Sequence, residues 1–217
     1  RLTVGSAYWM LNQQKFEGQF SKNSSKDLTR QITLINEKGE TENFALKPVN
    51  LLAPALAERY PQLKNYVGQS VQRPEVRLRL SVSPLGINAW LRFPDQKDFF
   101  IQPVREQKGL HYSYVKNGKD AQNPWECKTE TPPKKNRKGV QERAAKQASE
   151  MRTFRIALAA TAEYTAFWGD DDDTNGTNQE DALAAMVSSL NRVNEIYEEE
   201  LQLHLELVTD TTIVYTD

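Results

Sequence analysis

Residues 154–217 carry the stretch that decides the fold, FRIALAATAEYTAFWGDDDDTNGTNQEDALAAMVSSLNRVNEIYEEELQLHLELVTDTTIVYTD. In its middle, apolar residues recur at the three- and four-residue spacing of one helix face. These residues are Leu183, Met186, Val187, Leu190, Val193, Ile196 and Tyr197. Thr177 and Glu180 have the spacing of a capping box, so the sequence predicts a long amphipathic helix directly after Thr177.

Strands are predicted on both sides of this helix. Leu201, Leu203, Leu205 and Leu207 alternate with polar residues, which is the period of a strand with one buried face. Residues 154–160 and 213–215 are short apolar segments that we also interpret as strands. The predicted order is strand, acidic loop, long helix, strand and strand. Such a βαβ opening must bury its apolar faces in a larger sheet.

The chain before this stretch has the pattern of an antiparallel β structure. Segments of strand character follow one another at short intervals, at 29–35, 42–46, 76–82, 87–93, 99–101 and 111–115. Asn36-Glu37-Lys38-Gly39 separates the first two and predicts a hairpin turn. Pro54 begins one short helix that ends before Pro61. We therefore expect a small antiparallel sandwich or curled sheet, and an α+β fold class for the whole chain.

The composition agrees with two units joined by a connector. The 217 residues, 38% hydrophobic and 26% charged, are ordinary for soluble globular protein. The net charge of -1 hides a division, because residues 151–217 hold three arginines against fourteen acids and the remainder is basic. A basic unit docked on an acidic one explains both halves, although two solvated surfaces of unrelated charge are the simpler alternative. Between the units, residues 116–150 lose the strand pattern: turn signals and a basic cluster up to residue 138 indicate an exposed connector, and residues 140–151 indicate a helical piece.

Three segments of the stretch carry a family resemblance. They are AATAEYTAFWG, ALAAMVSSLNRVNEIYEEEL and LELVTDTTIVYTD. Together they resemble the opening of the catalytic domain of bacterial reprolysin-like (adamalysin-type) zinc metallopeptidases, of the metzincin group. More loosely, LAPALAERYPQLKNYVGQ and VRLRLSVSPLGINAWL resemble the secreted pro-region that precedes such domains.

The resemblance implies a division and a function. Residues 1–116 would be an antiparallel, β-rich pro-domain, residues 117–152 an exposed linker, and residues 153–217 the opening β-α-β segment of a metzincin-like α/β catalytic domain. The chain would then be a latent precursor (zymogen) fragment of an extracellular bacterial hydrolase, a zinc-dependent endopeptidase. Its propeptide would inhibit the catalytic domain and assist its folding.

The zinc-binding helix of that family, H-E-x-x-H-x-x-G-x-x-H, does not occur in this sequence. Its two histidines, His111 and His204, are far apart, and we interpret them as structural or surface residues. The resemblance therefore implies no catalytic residue within the chain and no activity of the chain alone. Zinc, which activates the water that hydrolyses peptide bonds, would be bound mainly by residues downstream.

The single cysteine, Cys127, lies in the linker, where the resemblance implies a cysteine switch. A thiolate in the open coordination position of zinc would displace the water and keep the enzyme latent. A free cysteine is more often a small buried apolar residue, and that alternative stays open. One cysteine also excludes a disulfide within the chain.

The linker also contains the predicted activation cleavage region. Its basic residues are Lys134, Lys135, Arg137, Lys138, Arg143 and Arg152. A basic cluster can also bind polyanions or be merely solvated. Its place between the two predicted units favours cleavage by an activating protease.

A second metal is suggested by the acidic loop. Glu163, Asp170, Asp171, Asp172 and Asp173 are candidate calcium ligands, since hard cations bind clustered carboxylates. The spacing differs from that of an EF-hand loop, and a solvated loop is the more common meaning of such a run.

The partners implied by the resemblance are the remainder of the catalytic domain, an activating protease, and protein or peptide substrates. We predict no nucleic-acid partner, because aromatic and basic residues do not form the pattern of nucleic-acid readers. No apolar run is long enough for a membrane span. The alternative from another class is a non-catalytic, secreted β-rich module that binds protein or glycan. The downstream reading frame would separate the two, by the presence or absence of the zinc helix.

Overall fold

A computed structural model describes residues 6–21, 29–105, 107–116, 150–209 and 211–216 of the chain. The strands are β1 (Ala7–Met10), β2 (Arg30–Ile35), β3 (Thr41–Pro48), β4 (Lys64–Ser70), β5 (Arg77–Ser83), β6 (Gly86–Arg92), β7 (Phe99–Pro103), β8 (Leu110–Val115), β9 (Arg152–Ile156) and β10 (Leu203–Leu207). The helices are α1 (Gln13–Ser21), α2 (Pro54–Arg59), α3 (Ala162–Trp168) and α4 (Asn178–Leu201). The fold is therefore mixed α+β, as the sequence predicts.

Eight strands form one antiparallel sheet in the order β1-β8-β7-β6-β5-β4-β3-β2. The β2–β3 hairpin shows why strands that are neighbours in sequence pair. Residues between the two strands form a tight turn that brings them together. The Asn36 side chain accepts backbone N–H bonds from Lys38 and Glu40, and Gly39 has a φ of 77°, which favours glycine. The predicted curled antiparallel sheet is confirmed.

The sheet curls around one hydrophobic core. Alternate residues of β5 and β6, among them Leu78, Leu80 and Leu91, point inward and are fully buried. Phe16 of α1 joins the same core, and the Gln19 side chain accepts the backbone N–H of Thr33 on edge strand β2. Helix α1 therefore covers the side of the core near β2. The opposite, outer face of β5 and β6 is left open to contact the second part of the chain.

The second part of the chain, residues 150–216, forms a parallel pair of strands and a long helix. β9 pairs with β10 in parallel, and α4 connects them after the short helix α3. The capping box of Thr177 and Glu180 is present at the start of α4, so the strand, long helix and strand of the prediction are confirmed. Among the described residues no helix is long and apolar enough to cross a membrane.

Three details of this part differ from the sequence prediction. The predicted strand at 213–215 is wrong, because Thr211–Ile213 form a 3-10 turn and Val214 makes only an isolated bridge to Ala160. The first strand ends at Ile156, since the Leu158 N–H turns to the Thr209 hydroxyl. Helix α3 was expected to be part of a loop. Its N-cap, Thr161, accepts the Tyr164 N–H and supplies the local start signal.

The long helix also buries a different face from the one predicted. Val193, Ile196 and Tyr197, in the carboxyl half of the apolar stripe, are each 39% exposed. Asn194 and Glu195 are buried in their place. The helix therefore packs through an apolar face near its start and through a polar face near its end.

A second core joins the two parts of the chain. Leu51, Leu52, Leu56 and Tyr60, which lie between β3 and β4, pack with the buried face of α4. The backbone of this segment also pairs with β10, because Leu207 donates to Leu51 O and Ala53 donates to Leu207 O. The segment between β3 and β4 thus lies beside β10 as a third extended segment next to the parallel pair.

Candidate functional site

Most residues of the predicted switch and cleavage region lie outside the described residues. These are Cys127, Lys134, Lys135, Arg137, Lys138 and Arg143. Arg152, the last of the set, is the first residue of β9, where it is exposed and pairs with Leu203. The switch and the cleavage site both stay predictions.

The acidic loop is held by its own side chains. Asp170 accepts the side-chain N–H of Asn175 and the N–H of Asp172, and Asp171 exchanges hydrogen bonds with Asn178. The Thr174 hydroxyl and backbone N–H lower the pKa of Asp172. Asp173 is exposed, and Glu163 lies in the first turn of α3, after the N-cap Thr161. In the part of the chain that the structure describes, no three acids, histidines or cysteines are grouped to hold a metal ion.

A buried carboxyl lies behind this loop and was missed by sequence reasoning. Asp181, in the first turn of α4, is 3% exposed and accepts the Asp170 N–H at 3.3 Å. Burial, and then the neighbouring Asp170 charge, raise the pKa of Asp181 to about 6.

Both ring nitrogens of His111 are used inside the sheet. Nε2 accepts the Ile87 N–H at 3.0 Å, and Nδ1 lies 3.0 Å from the Gly109 carbonyl oxygen, so the ring carries its proton on Nδ1. Burial lowers the pKa of His111. The residue is therefore structural, and it has no free nitrogen for a metal ion.

His204, on β10, connects α4 to the segment that follows β3. Nδ1 lies 2.6 Å from a carboxylate oxygen of Glu198 on α4, and Nε2 lies 2.8 Å from the Asn50 carbonyl oxygen. These two oxygens are acceptors, so they favour the imidazolium, which donates from both ring nitrogens. The Glu198 hydrogen bond raises the pKa of His204 accordingly. This histidine does not fit a zinc ion either, since its nitrogens are occupied.

The most concentrated chemistry lies where α4 crosses the outer face of β5 and β6. We call it the interface cluster, and its six residues are Arg77, Arg79, Arg92, Glu195, Glu198 and Glu199. Glu195 lies between two arginines, 2.8 Å from Arg77 Nε and 2.5 Å from Arg79 Nε. Arg79 and Glu195 are 2% and 1% exposed, whereas Glu199 is 40% exposed.

Two asparagines of α4 extend this contact along the helix. Asn191 donates to the Leu80 carbonyl oxygen and to the Ser81 hydroxyl, both on β5. One turn later, Asn194 donates to Leu205 O and accepts the Leu205 N–H, so it holds β10. The helix therefore bonds to the large sheet on one side and to the small sheet on the other.

The interface cluster could in principle be found in the sequence. Arg77 and Arg79 alternate within a strand, and Glu195, Glu198 and Glu199 are spaced for one helix face. The charge division between the two parts pointed in the same direction. The sequence does not show that these glutamates face these arginines, because the apolar stripe predicts that Ile196 rather than Glu195 is buried.

The cluster can hold two parts of the chain together, but by itself it has no nucleophile or general base poised for a reaction. A search of protein-family models found no match to this chain, and a search of curated proteins found none at a significant level.

Proposed function

We propose that residues 6–116 act as a pro-region for a catalytic segment that begins within residues 150–216, in the precursor of a secreted zinc endopeptidase. The observation that carries this proposal is the interface cluster, supported by the shared second core. A pro-region must bind the catalytic segment through a dedicated surface. It must also complete the fold of that segment. The buried Arg79–Glu195 pair and the Leu51–Leu207 backbone bond are contacts of that kind.

The family resemblance of the sequence supplies the reaction class. The described histidines offer no free nitrogen to zinc, so the metal ligands and the general base would come from downstream of this chain. Zinc would supply a bound water of lowered pKa in that part. The residues described in this article would serve latency and folding, and Cys127 would add a thiolate ligand.

The test uses the longer gene product with its downstream sequence. Residues 134–138 are replaced by the recognition sequence of a site-specific protease, and peptide hydrolysis is measured before and after cleavage. We expect low activity before cleavage, higher activity after it, and loss of activity with a chelator. Activity that is already full before cleavage would contradict inhibition by the pro-region. A downstream frame without a zinc-binding helix would contradict the peptidase itself.

The cleaved but undissociated protein tests the interface. In size-exclusion chromatography the two pieces should elute together at low salt and separate more readily near 0.5 M salt if Arg–Glu contacts dominate. Glu195→Gln should favour separation, whereas Glu206→Gln, on β10 outside the cluster, should not. Salt-independent association would show that the apolar second core holds the pieces together.

A further inference from the structure

The outer face of β7, β8 and β1 forms a cleft with α3 that has no part in the proposed latency. We call it the aromatic cleft, and it is lined by Tyr8, Gln102, Arg105, Tyr112, Phe167 and Trp168. Its volume is about 370 Å³. Pockets of this volume can bind a small ligand or one or two side chains of a larger one.

The aromatic side chains of the cleft are unusually open to solvent. Tyr8 is 57% exposed and Phe167 is 54% exposed, and Met10, on the same face of β1 as Tyr8, is 62% exposed. Tyr8 contacts Tyr112 with ring centroids 4.9 Å apart, so the rings form one surface. Adjacent exposed apolar side chains of this size are typical of binding surfaces, in which tyrosine and tryptophan are common anchors.

Arg105 brings a guanidinium to the cleft, and no ion pair joins it to another described residue. Its guanidinium carbon lies 4.2 Å from the centroid of the Phe167 ring. Its Nε is buried, and it has no hydrogen-bond partner in the described part of the chain. By contrast, Arg77, Arg79 and Arg92 of the interface cluster all pair with glutamates. A partly buried guanidinium on an aromatic ring is suited to binding a carboxylate.

We propose that the aromatic cleft binds a peptide segment in which an acidic residue adjoins a large apolar or aromatic residue. The carboxylate would bind Arg105, and the apolar side chain would lie between Tyr112 and Phe167. The acidic loop, with Asp170 and Asp172 near the same end of α3, repels the many charges of a polyphosphate chain more strongly than the single carboxylate proposed for Arg105. Met10 adds an exposed apolar side chain beyond the residues that line the cleft, which favours a peptide over a small aromatic acid.

This site requires neither zinc nor peptidase activity. It would give a ligand class to the alternative function, a secreted binding module. It would give a precursor a second docking point.

The test is selection of random heptapeptides on phage against the immobilised full chain. Selected peptides are then synthesised with blocked ends, and their Kd is measured by fluorescence anisotropy. Arg105→Gln and Phe167→Ala are the test variants. The matched controls are Arg155→Gln and Phe154→Ala, because Arg155 is an exposed arginine and Phe154 is 51% exposed, both on β9.

We expect selected peptides to share an Asp or Glu beside a Phe, Tyr, Trp or Leu. Each test variant should weaken binding at least about fivefold, and each control less than about twofold. Changing the acidic residue of the peptide to its amide should remove the effect of Arg105→Gln. Selection that yields no peptide dependent on Arg105 and Phe167 would overturn the proposal. So would tighter Arg105-dependent binding of oligo-dT or of 4-hydroxyphenylacetate than of any selected peptide.

Discussion

Arg79 and Glu195 form a buried ion pair between residues 116 positions apart in the sequence, one on the outer face of β5 and one on α4. Buried charges are costly to remove from water unless they are paired and hydrogen-bonded. Glu195 also contacts Arg77, and Arg79 also contacts Glu198, so each charge has two opposite partners. The pair therefore fixes which face of α4 meets the sheet, and it explains why polar residues displace the apolar stripe there.

Removing one charge of this pair should destabilise the fold strongly. Glu195→Gln leaves Arg79 buried with only Glu198, and we expect a loss of about 3 kcal/mol in the free energy of unfolding. Glu199→Gln is the matched control, because Glu199 is 40% exposed and should change stability by about 1 kcal/mol or less. Urea unfolding of the two variants measures the difference. Equal losses would show that burial of Glu195 has no energetic consequence.

The two histidines of the chain should titrate on opposite sides of the ordinary histidine pKa. The Glu198 hydrogen bond raises the pKa of His204, and burial lowers that of His111. Because the sequence contains only these two histidines, the ¹H NMR spectrum should show two Hε1 signals with separate midpoints, one above and one below about 6.5. His204→Gln should delete the higher one. A higher midpoint that survives this change would contradict the assignment.

The same shifts set the sign of two contributions to stability. The stabilisation from His204 is fully present below its unfolded pKa and is lost as the pH rises through its raised folded pKa. For His111, whose folded pKa is lowered, stability is instead lost as the pH falls below about 6.5. The loss of Tm caused by His204→Gln should accordingly be larger at pH 6 than at pH 9.

A close contact at His111 predicts a sensitive glycine. Gly86 has a φ of 123°, and a Cβ placed there would lie 2.6 Å from His111 Nε2. Gly86→Ala should therefore cost more than about 2 kcal/mol, from backbone strain and from displacement of a buried ring. Gly18→Ala is the control, since a Cβ at Gly18 in α1 meets nothing within 4 Å and alanine favours helices. It should stabilise by about 0.5 kcal/mol, as measured by thermal unfolding.

Local patterns in the sequence predicted much of the fold. The capping box, the β2–β3 turn and the alternation of β5 each act over a few residues, so they can be read without tertiary contacts. The identity of the buried face of α4 depends on Arg79, which lies more than a hundred residues away, and no local period contains that information. The aromatic cleft was missed for the same reason, because Tyr8, Tyr112 and Phe167 come from three distant segments.

Most candidate metal ligands that the structure describes already have hydrogen-bond partners. All four ring nitrogens of the two histidines already have hydrogen-bond partners, so these histidines form no zinc site. They do not test a site formed by residues downstream. The calcium ligands proposed in the acidic loop are used within the loop, with Asp170 bonded to Asn175 and Asp171 to Asn178. A calcium site in this loop stays a prediction.

Asp181 should make stability depend on pH in the opposite direction from most carboxylates. Its pKa is raised to about 6 by burial and by Asp170, so the stability it contributes is complete below the unfolded value of 3.8 and is lost as the pH rises through about 6. Asp181→Asn keeps an oxygen to accept the Asp170 N–H and removes the buried charge. We expect it to raise the free energy of unfolding by about 1 kcal/mol at pH 8 and to change it little at pH 4. Asp173→Asn, in the exposed part of the same loop, should change neither, and an equal gain at both pH values for Asp181→Asn would show that the charge is not the cause.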